Sequence, residues 1–419
     1  MSGVTGDNPY RASGIIAAAA AGGLSWQDIV TASTLTAAAG NAYWINTTSN
    51  ACTITLPASA ENGDEIIFAD YARNWGTNGI VIDSNGLNYQ GEDDSFDVEY
   101  GTDGQAVDIV YSDATNGWVP VSDDDVEDVP AKGNDNGIFG YGGSPGSVSM
   151  SNIVSSAGVV ATDVTGVGTA RAYVMACEYG GDKGIFGYGY TTSNVSMTNL
   201  VTNAGVIGTD VTGVGTARYS GSACEYGGDK GIFGFGNTGS KTAVTNLVTN
   251  AGVVGTDVTG VGTARAYLGA CEYGGDKGIF GFGDAGPSGS GTVSVTNLVS
   301  NTGVVATDTA GVGDARNNLA ACSFGGDKGI FIGGASPATT AVSNIVSDAG
   351  VVATDVTGVG TARVASAACE YGTDKGIWAY GTDASLQNVS NLVSNVGVVA
   401  TDTSGVGTAR KYLAGCSYN

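Results

Sequence analysis

Histidine is missing from all 419 residues. Its absence removes the commonest general base, the usual metal ligand and the Ser-His-Asp constellation together, which weighs against an enzyme while leaving carboxylate chemistry open. Basic residues are scarce: 16 lysines and arginines face 40 aspartates and glutamates, for a formal charge of -24. Only Arg11 and Arg73 precede Lys132, so no basic stripe exists to neutralise a phosphate backbone, and nucleic acid is not an expected partner. Long apolar runs are lacking too. "GIIAAAAAGGL" (14–24) is too short for a bilayer span and has no charged n-region or cleavage site, so neither a secretion signal nor membrane insertion is expected. Helix-forming Leu, Glu and Lys are few, and prolines number only 7.

What is present is glycine, 70 residues of it, with abundant Val, Thr and Tyr, a composition that favours β-structure. The length exceeds one ordinary core of about 100 to 200 residues. Self-similarity explains the excess. "GVGTAR" or a near copy ends at Arg171, Arg218, Arg265, Arg316, Arg363 and Arg410, at spacings of 47, 47, 51, 47 and 47. Six copies of one unit therefore fill residues 132–419.

Within a unit, "AYLGACEYGG-DK-GIFGFG" reads as two apolar strands joined by a Gly-rich turn, and "VSVTNLVSNTGVVATDTAGVG" as two more, broken at "NTG". Four strands per unit (A to D) at this period are the pattern of propeller blades. "TARAYLGACEYGGDKGIFGFG" resembles the kelch repeat of galactose-oxidase-like propellers across all six units, although the tyrosine and tryptophan usual in kelch strands C and D are missing. The resemblance implies a fold and no particular function. The array begins at "KGNDNGIFGYG" (132–142), a strand B without its A, and stops at "KYLAGCSYN" (411–419), an A without its B. The expected fold is thus all-β, with a six-bladed propeller over 133–419 closed by the C-terminal strand.

In such a meander the A-B and C-D turns share one end, and the B-C loops and D-to-A connections share the other. The A-B turn is nearly invariant, "GGDK" from 180, 227, 274 and 325 and "GTDK" from 372. The B-C loops all differ: "GSPGS" (143–147), "YTTSN" (190–194), "NTGSKT" (237–242), "DAGPSGSG" (284–291), "ASPATT" (335–340) and "TDASLQN" (382–388). Varied loops on a rigid scaffold are where binding concentrates, which makes Ser144, Tyr190, Lys241, Pro287, Pro337 and Gln387 the candidate receptor-facing positions; the alternative is that the loops drift because nothing constrains them. Because the linker enters ahead of a strand B, the N-terminal region is expected on the uniform side.

That region divides into a small-residue attachment segment (1–24), a β-rich stretch (25–121) and an acidic linker (122–132). Short strands are expected at "AYWINTT", "CTITLP", "DEIIFADY", "GIVIDSNG" and "AVDIVYSDATNGWVPV", forming a small sandwich-like domain. "TITLPASAENGDEIIFADYARNWGTNGIVIDSNG" followed by "VDIVYSDATNGW" resembles a domain common near the N-terminal side of bacteriophage tail and head fibre proteins. The resemblance implies a structural virion part, commonly trimeric, attached through its N-terminal end to other virion proteins and carrying a receptor-binding or carbohydrate-cleaving module.

Periodic residues invite chemical readings. Cys177, Cys224, Cys271, Cys322, Cys369 and Cys416 recur at one strand A position; sheets about 10 Å apart exceed disulfide reach, so free buried thiols are expected, as suits assembly in a bacterial host cytoplasm. The six repeat arginines could ring a channel mouth and grip an anion, but pairing with a carboxylate such as Asp163, Asp210, Asp257, Asp308, Asp355 or Asp402 is the expected structural role. The Asp-Lys pairs from Asp182/Lys183 to Asp374/Lys375 read as turn residues. No EF-hand spacing and no carboxylate pair stands out from the repeats, so no metal, cofactor or catalytic residue is assigned. The function expected is adhesion of a virion protein to a host-surface glycan or protein. The alternatives are a polysaccharide-degrading enzyme and a decoration without binding activity.

Overall fold

A computed structural model describes residues 24–93, 98–122, 134–287 and 291–419. The attachment segment, apart from Leu24, and the linker, apart from Ser122, lie outside the described residues. The chain is all-β, with no α-helix among the described residues, and it divides into two compact units, 1–132 and 133–419.

In the first unit the described strands divide between two sheets, alternating from β1 to β6: β1 (Ser25–Trp26), β2 (Thr34–Thr36), β3 (Asn41–Ile45), β4 (Cys52–Thr55), β5 (Glu65–Asp70), β6 (Ile80–Asp83), β7 (Val98–Tyr100), β8 (Ala106–Asp113) and β9 (Gly117–Ser122). One sheet runs β1-β3-β5-β8-β9, the other β2-β4-β6-β7, and the pairs among β1 to β6 are parallel. Period-2 alternation turns Val107, Ile109 and Tyr111 of β8 and Ile80 and Ile82 of β6 into a single core between the sheets, closed by Trp75 and Trp118. The five segments read as strands from the sequence become β3, β4, β5, β6 and the β8-β9 hairpin.

The second unit consists of six three-stranded sheets. The first holds β10 (Asn136–Gly140) and β11 (Ser151–Val154). The next are β12 (Met175–Tyr179), β13 (Lys183–Tyr190) and β14 (Asn194–Val201); β15 (Ser222–Tyr226), β16 (Lys230–Asn237) and β17 (Lys241–Val248); and β18 (Gly269–Tyr273), β19 (Lys277–Gly281) and β20 (Thr296–Val299). Then come β21 (Ala320–Phe324), β22 (Lys328–Ile332) and β23 (Ser343–Val346), and β24 (Ala367–Tyr371), β25 (Lys375–Thr382) and β26 (Leu386–Val393). The last strand, β27 (Ala414–Tyr418), pairs with β10, Cys416 opposite Ile138, in the register that sets Cys177 opposite Ile185 within the second sheet. First strands pack neighbour on neighbour from β12 through β24 to β27, and β27 packs on β12.

The expected fourth strand is not a strand. In the first repeat it touches β11 through isolated bridges, Val154 to Val160 and Ser151 to Val164, so four residues' advance on one side meets three on the other. The buried Asn152 side chain fills the gap, donating to the Ala161 carbonyl at 3.0 Å and to Asp163 at 2.9 Å. An asparagine that competes with the ladder in this way bulges the outer segment, which also blunts the sheet edge.

Sheets lock together through glycine. A Cβ added to Gly231 of β16 would lie 2.6 Å from the Cys177 Sγ, and one added to Gly187 of β13 would lie 2.8 Å from Phe233 Cζ. The periodic cysteines are free and buried, small fillers seated on the next sheet's glycine. Gly231→Ala is expected to destabilise the unit by about 1–3 kcal/mol through overpacking, with the strand pattern retained; a thermal melt followed by circular dichroism measures it.

Candidate functional site

The six arginines are fully buried. Arg171 donates from Nε to the Tyr188 carbonyl at 2.9 Å, from Nη1 to the Thr169 carbonyl at 3.1 Å and from Nη2 to Asn199 Oδ1 at 2.7 Å. Its guanidinium lies 4.1 Å from the centre of the Tyr141 ring in the preceding sheet. Arg218 repeats this over Tyr188, and Arg410 over Tyr380 while donating to the Tyr141 carbonyl at 2.9 Å. Burial draws Arg265 and Arg316 down to about 10, which leaves them charged at neutral pH. No guanidinium is open to an external anion, and none lines the axis, so the channel-mouth reading fails. The arginines clamp neighbouring sheets by cation-π and carbonyl contacts instead.

The carboxylate partners are more distant than expected. Asp210 approaches Arg171 at 4.0 Å but accepts from Thr169 Oγ1 at 2.6 Å and from Asn199 at 3.0 Å. Against the cost of burial, these hydrogen bonds hold the Asp210 carboxyl below its usual range. Asp163 receives the equivalent bonds from Thr408, 2.6 Å from Oγ1, tying the last unit to the first. The Asp-Lys turn pairs are formed and partly exposed, as at Asp182 and Lys183.

Two residues beyond each arginine the backbone turns left-handed: Tyr173, Ser220, Tyr267, Asn318, Ala365 and Tyr412 have φ between 55° and 58°. Such values cost a non-glycine residue about 1 kcal/mol or more. Each N–H donates to the carbonyl of the equivalent residue in the adjoining unit, Tyr173 to Tyr412 at 2.8 Å, Ser220 to Tyr173 at 3.3 Å, Tyr267 to Ser220 at 2.7 Å, and so on through Tyr412 to Ala365 at 2.8 Å. The six bonds form a closed circle. Its side chains build an aromatic cluster in which Tyr173 stacks on Tyr412 at 3.9 Å and meets Tyr219 edge-on at 5.4 Å.

Beside this cluster a cleft of about 840 Å³ opens between the loops of the third and fourth units. Tyr219, Tyr267 and Tyr412 line its inner side, and Lys241, Asp284 and Asn317 its outer side. Lys241 donates to the fully buried Asp284 at 2.8 Å and sits 5.0 Å from the centre of the Tyr267 ring. Asp284 also accepts from the Gly286 and Gly291 amides, both at 3.1 Å; burial opposes its charge, but Lys241 and these amides hold its carboxyl low. Of the six candidate loop positions, Lys241 and the exposed Pro287 line the cleft. Tyr190 borders it, 5.6 Å from Tyr219. Ser144, Pro337 and Gln387 lie in other loops, and the Gln387 side chain donates to its own loop at the Ser385 carbonyl.

Sequence reasoning found no carboxylate pair that stands out from the repeats, and the cleft adds none among the described residues; what breaks the repeat is an ion pair, Lys241–Asp284, for the positions matching Asp284 carry Gly143, Tyr190, Asn237, Ala335 and Thr382 in the other repeats. It was hidden because its members are 43 residues apart, in different units.

Also missed were the glutamates of "CEY". A cavity of about 100 Å³ among the first strands of the sheets is lined by Ala176, Ala223, Ala270 and Ala368. By strand periodicity Glu178, Glu225, Glu272 and Glu370, two residues on, face the same side, with Ser323 and Ser417 at the two remaining positions. Burial first, then mutual repulsion, raises Glu225 and Glu370 well above the usual carboxyl range and takes Glu272 to about 8. Among the described residues no group of three or more potential ligand side chains is arranged to hold a metal ion. No protein-family model matches the chain, and no curated protein does.

Proposed function

We propose that residues 133–419 are a closed six-bladed β-propeller serving as a recognition module, whose loop-bearing end adheres to a host-cell surface, on a virion protein attached to the particle through its N-terminal region. The reading is carried by where the sixfold repetition breaks. Turns at the A-B end are copies of one another, whereas the B-C loops differ and gather an unrepeated ion pair beside a tyrosine cluster. A scaffold needs no such asymmetry; a binding face does. Support for the virion context is the likeness of residues 53–118 to fibre-protein domains. Seven free buried thiols suit assembly in a reducing bacterial cytoplasm, and the likeness favours a homo-oligomer, a trimer by the habit of such fibres. Adhesion is favoured over glycan cleavage because Asp284 is, among the described residues, the single carboxylate lining the cleft and is committed to Lys241, whereas glycoside hydrolysis uses two.

Labelled full-length protein is expected to bind host cells in a saturable manner. A variant with the five other B-C loops replaced by the "NTGSKT" loop of residues 237–242 should lose that binding at an unchanged melting temperature. Binding that survives the replacement would overturn the assignment, and absence of binding by the native protein would leave a purely decorative role.

A further inference from the structure

We infer that the cleft between the third and fourth units takes an uncharged saccharide, a hexose-containing glycan; this rests on reading the loop-bearing end as the binding face. Charge makes the first selection. Among the described residues Lys241 is the only cation lining the cleft, and Asp284 neutralises it at 2.8 Å, so the site carries no net charge inside a chain of formal charge -24. An anionic sugar would meet a repelling field and no unpaired cation. A cationic ligand would find its one carboxylate already occupied by Lys241 and two amides.

The remaining polar groups suit hydroxyls. An ammonium has three donors, and Lys241 directs one hydrogen bond to Asp284, which leaves others for a ligand oxygen. The Asn318 side-chain amide donates from Nδ2 to Asn317 Oδ1 at 3.0 Å, an arrangement that leaves the Asn317 Nδ2 to donate and the Asn318 Oδ1 to accept. A sugar hydroxyl does both. Tyr219, Tyr267 and Tyr412 supply aromatic surface on the inner wall, against which the C–H face of a pyranose packs while its hydroxyls face the amides. The volume, about 840 Å³, lies within the range of ligand sites, about 300–1,000 Å³, and exceeds a single hexose. The buried Asp284, with every oxygen satisfied, shapes the Lys241 side chain and is a positioning residue.

The repeat supplies safe variants. Ala365 holds the left-handed position equivalent to Tyr267, and Ala172 and Ala266 hold the position equivalent to Tyr219, so Tyr267→Ala and Tyr219→Ala keep conformations that the chain already builds with alanine. Full-length protein is to be titrated against neutral oligosaccharides of glucose, galactose and mannose and against sialylated and uronate-containing ones. The expected result is binding to a member of the neutral set, weakened about 10-fold or more in each variant at unchanged melting temperature, and little altered between about 50 and 500 mM salt. Binding confined to the charged set, neutral binding indifferent to both substitutions, or no binding to either set would each overturn the inference. If host-cell binding nevertheless persists in both variants, the loop-end reading stands and only the cleft is misassigned; if the native protein binds no cells, that reading falls by itself.

Discussion

Deleting residues 414–419 is expected to unfold the second unit rather than trim it. The segment is β27, which supplies the third strand of the first sheet and packs its Cys416 and Tyr418 fully or almost fully out of solvent. Losing a large buried side chain such as Tyr418 costs about 2–5 kcal/mol, the lost strand pairing adds to it, and a domain holds only about 5–15 kcal/mol in total. The deletion also bares the free edge of β10 and removes Cys416 from its seat on Gly184. The loss is specific because the other A strands are already paired within their own sheets, each with its cysteine opposite an isoleucine as Cys416 is opposite Ile138. Full-length protein should melt cooperatively, while the truncated chain should show no cooperative transition for this unit above about 37 °C and should associate through the exposed edge. A truncated chain melting within a few degrees of the parent would mean that β27 contributes little and that the circle of contacts is incidental. Thr408→Val is the milder companion: it removes the 2.6 Å bond to Asp163 while retaining β27, and should lower stability by about 1 kcal/mol.

Much of this arrangement was legible because a repeated unit shows its period openly. The A, B and C strands follow from apolar runs at fixed offsets, and the partner of the last strand follows from the half-units at the ends. The outer segment was not legible: its Val and Thr content reads as a strand, but the side chain of Asn152 takes hydrogen bonds that a fourth strand would need. Nor does composition reveal that Tyr188 and Phe235 adopt positive φ, 59° and 60°, at the bulge that carries each ring onto an arginine. One compensation emerges only in three dimensions. The fifth unit has Gly333 where others carry an aromatic, and the sixth has Trp378 where others carry phenylalanine. A Cβ on Gly333 would lie 2.7 Å from the tryptophan ring, and Arg363 sits 3.3 Å from that ring's centre. The larger ring thus fills the space and takes over the cation-π contact, although the Arg363 Nε is left without a hydrogen-bond partner. At the candidate site Lys241 and Pro287 were found because loop variation marks them. Asp284 and Tyr219 escaped because their roles depend on contacts between neighbouring units.

The "CEY" glutamates set how the second unit responds to pH. Four carboxyls share one side of the first strands without a cation of their own: Asp229, Asp276 and Asp374 add repulsion from the A-B turns, Lys277 offsets part of it at Glu272, and the Ser417 amide donates to Glu178 at 2.6 Å. Burial, followed by mutual repulsion, raises Glu225, Glu272 and Glu370, with Glu272 reaching about 8 from an ordinary 4.5. A folded-state value above the unfolded one means that the native unit holds the proton more tightly. The resulting stability is fully present below about pH 4.5 and is lost as the pH rises through about 8. Each unit of elevation corresponds to about 1.4 kcal/mol; discounted for solvent screening, a net loss on the order of 2–4 kcal/mol between pH 5 and 9 is expected. Glu272→Gln replaces the carboxyl with a neutral group of the same shape. The variant should match the parent near pH 5, exceed its melting temperature by several degrees at pH 9, and flatten the profile between them. A parent profile that is flat or rising over that range would show that the four carboxylates are ionised and tolerated in the native unit, and their field would then have to be balanced by a bound cation.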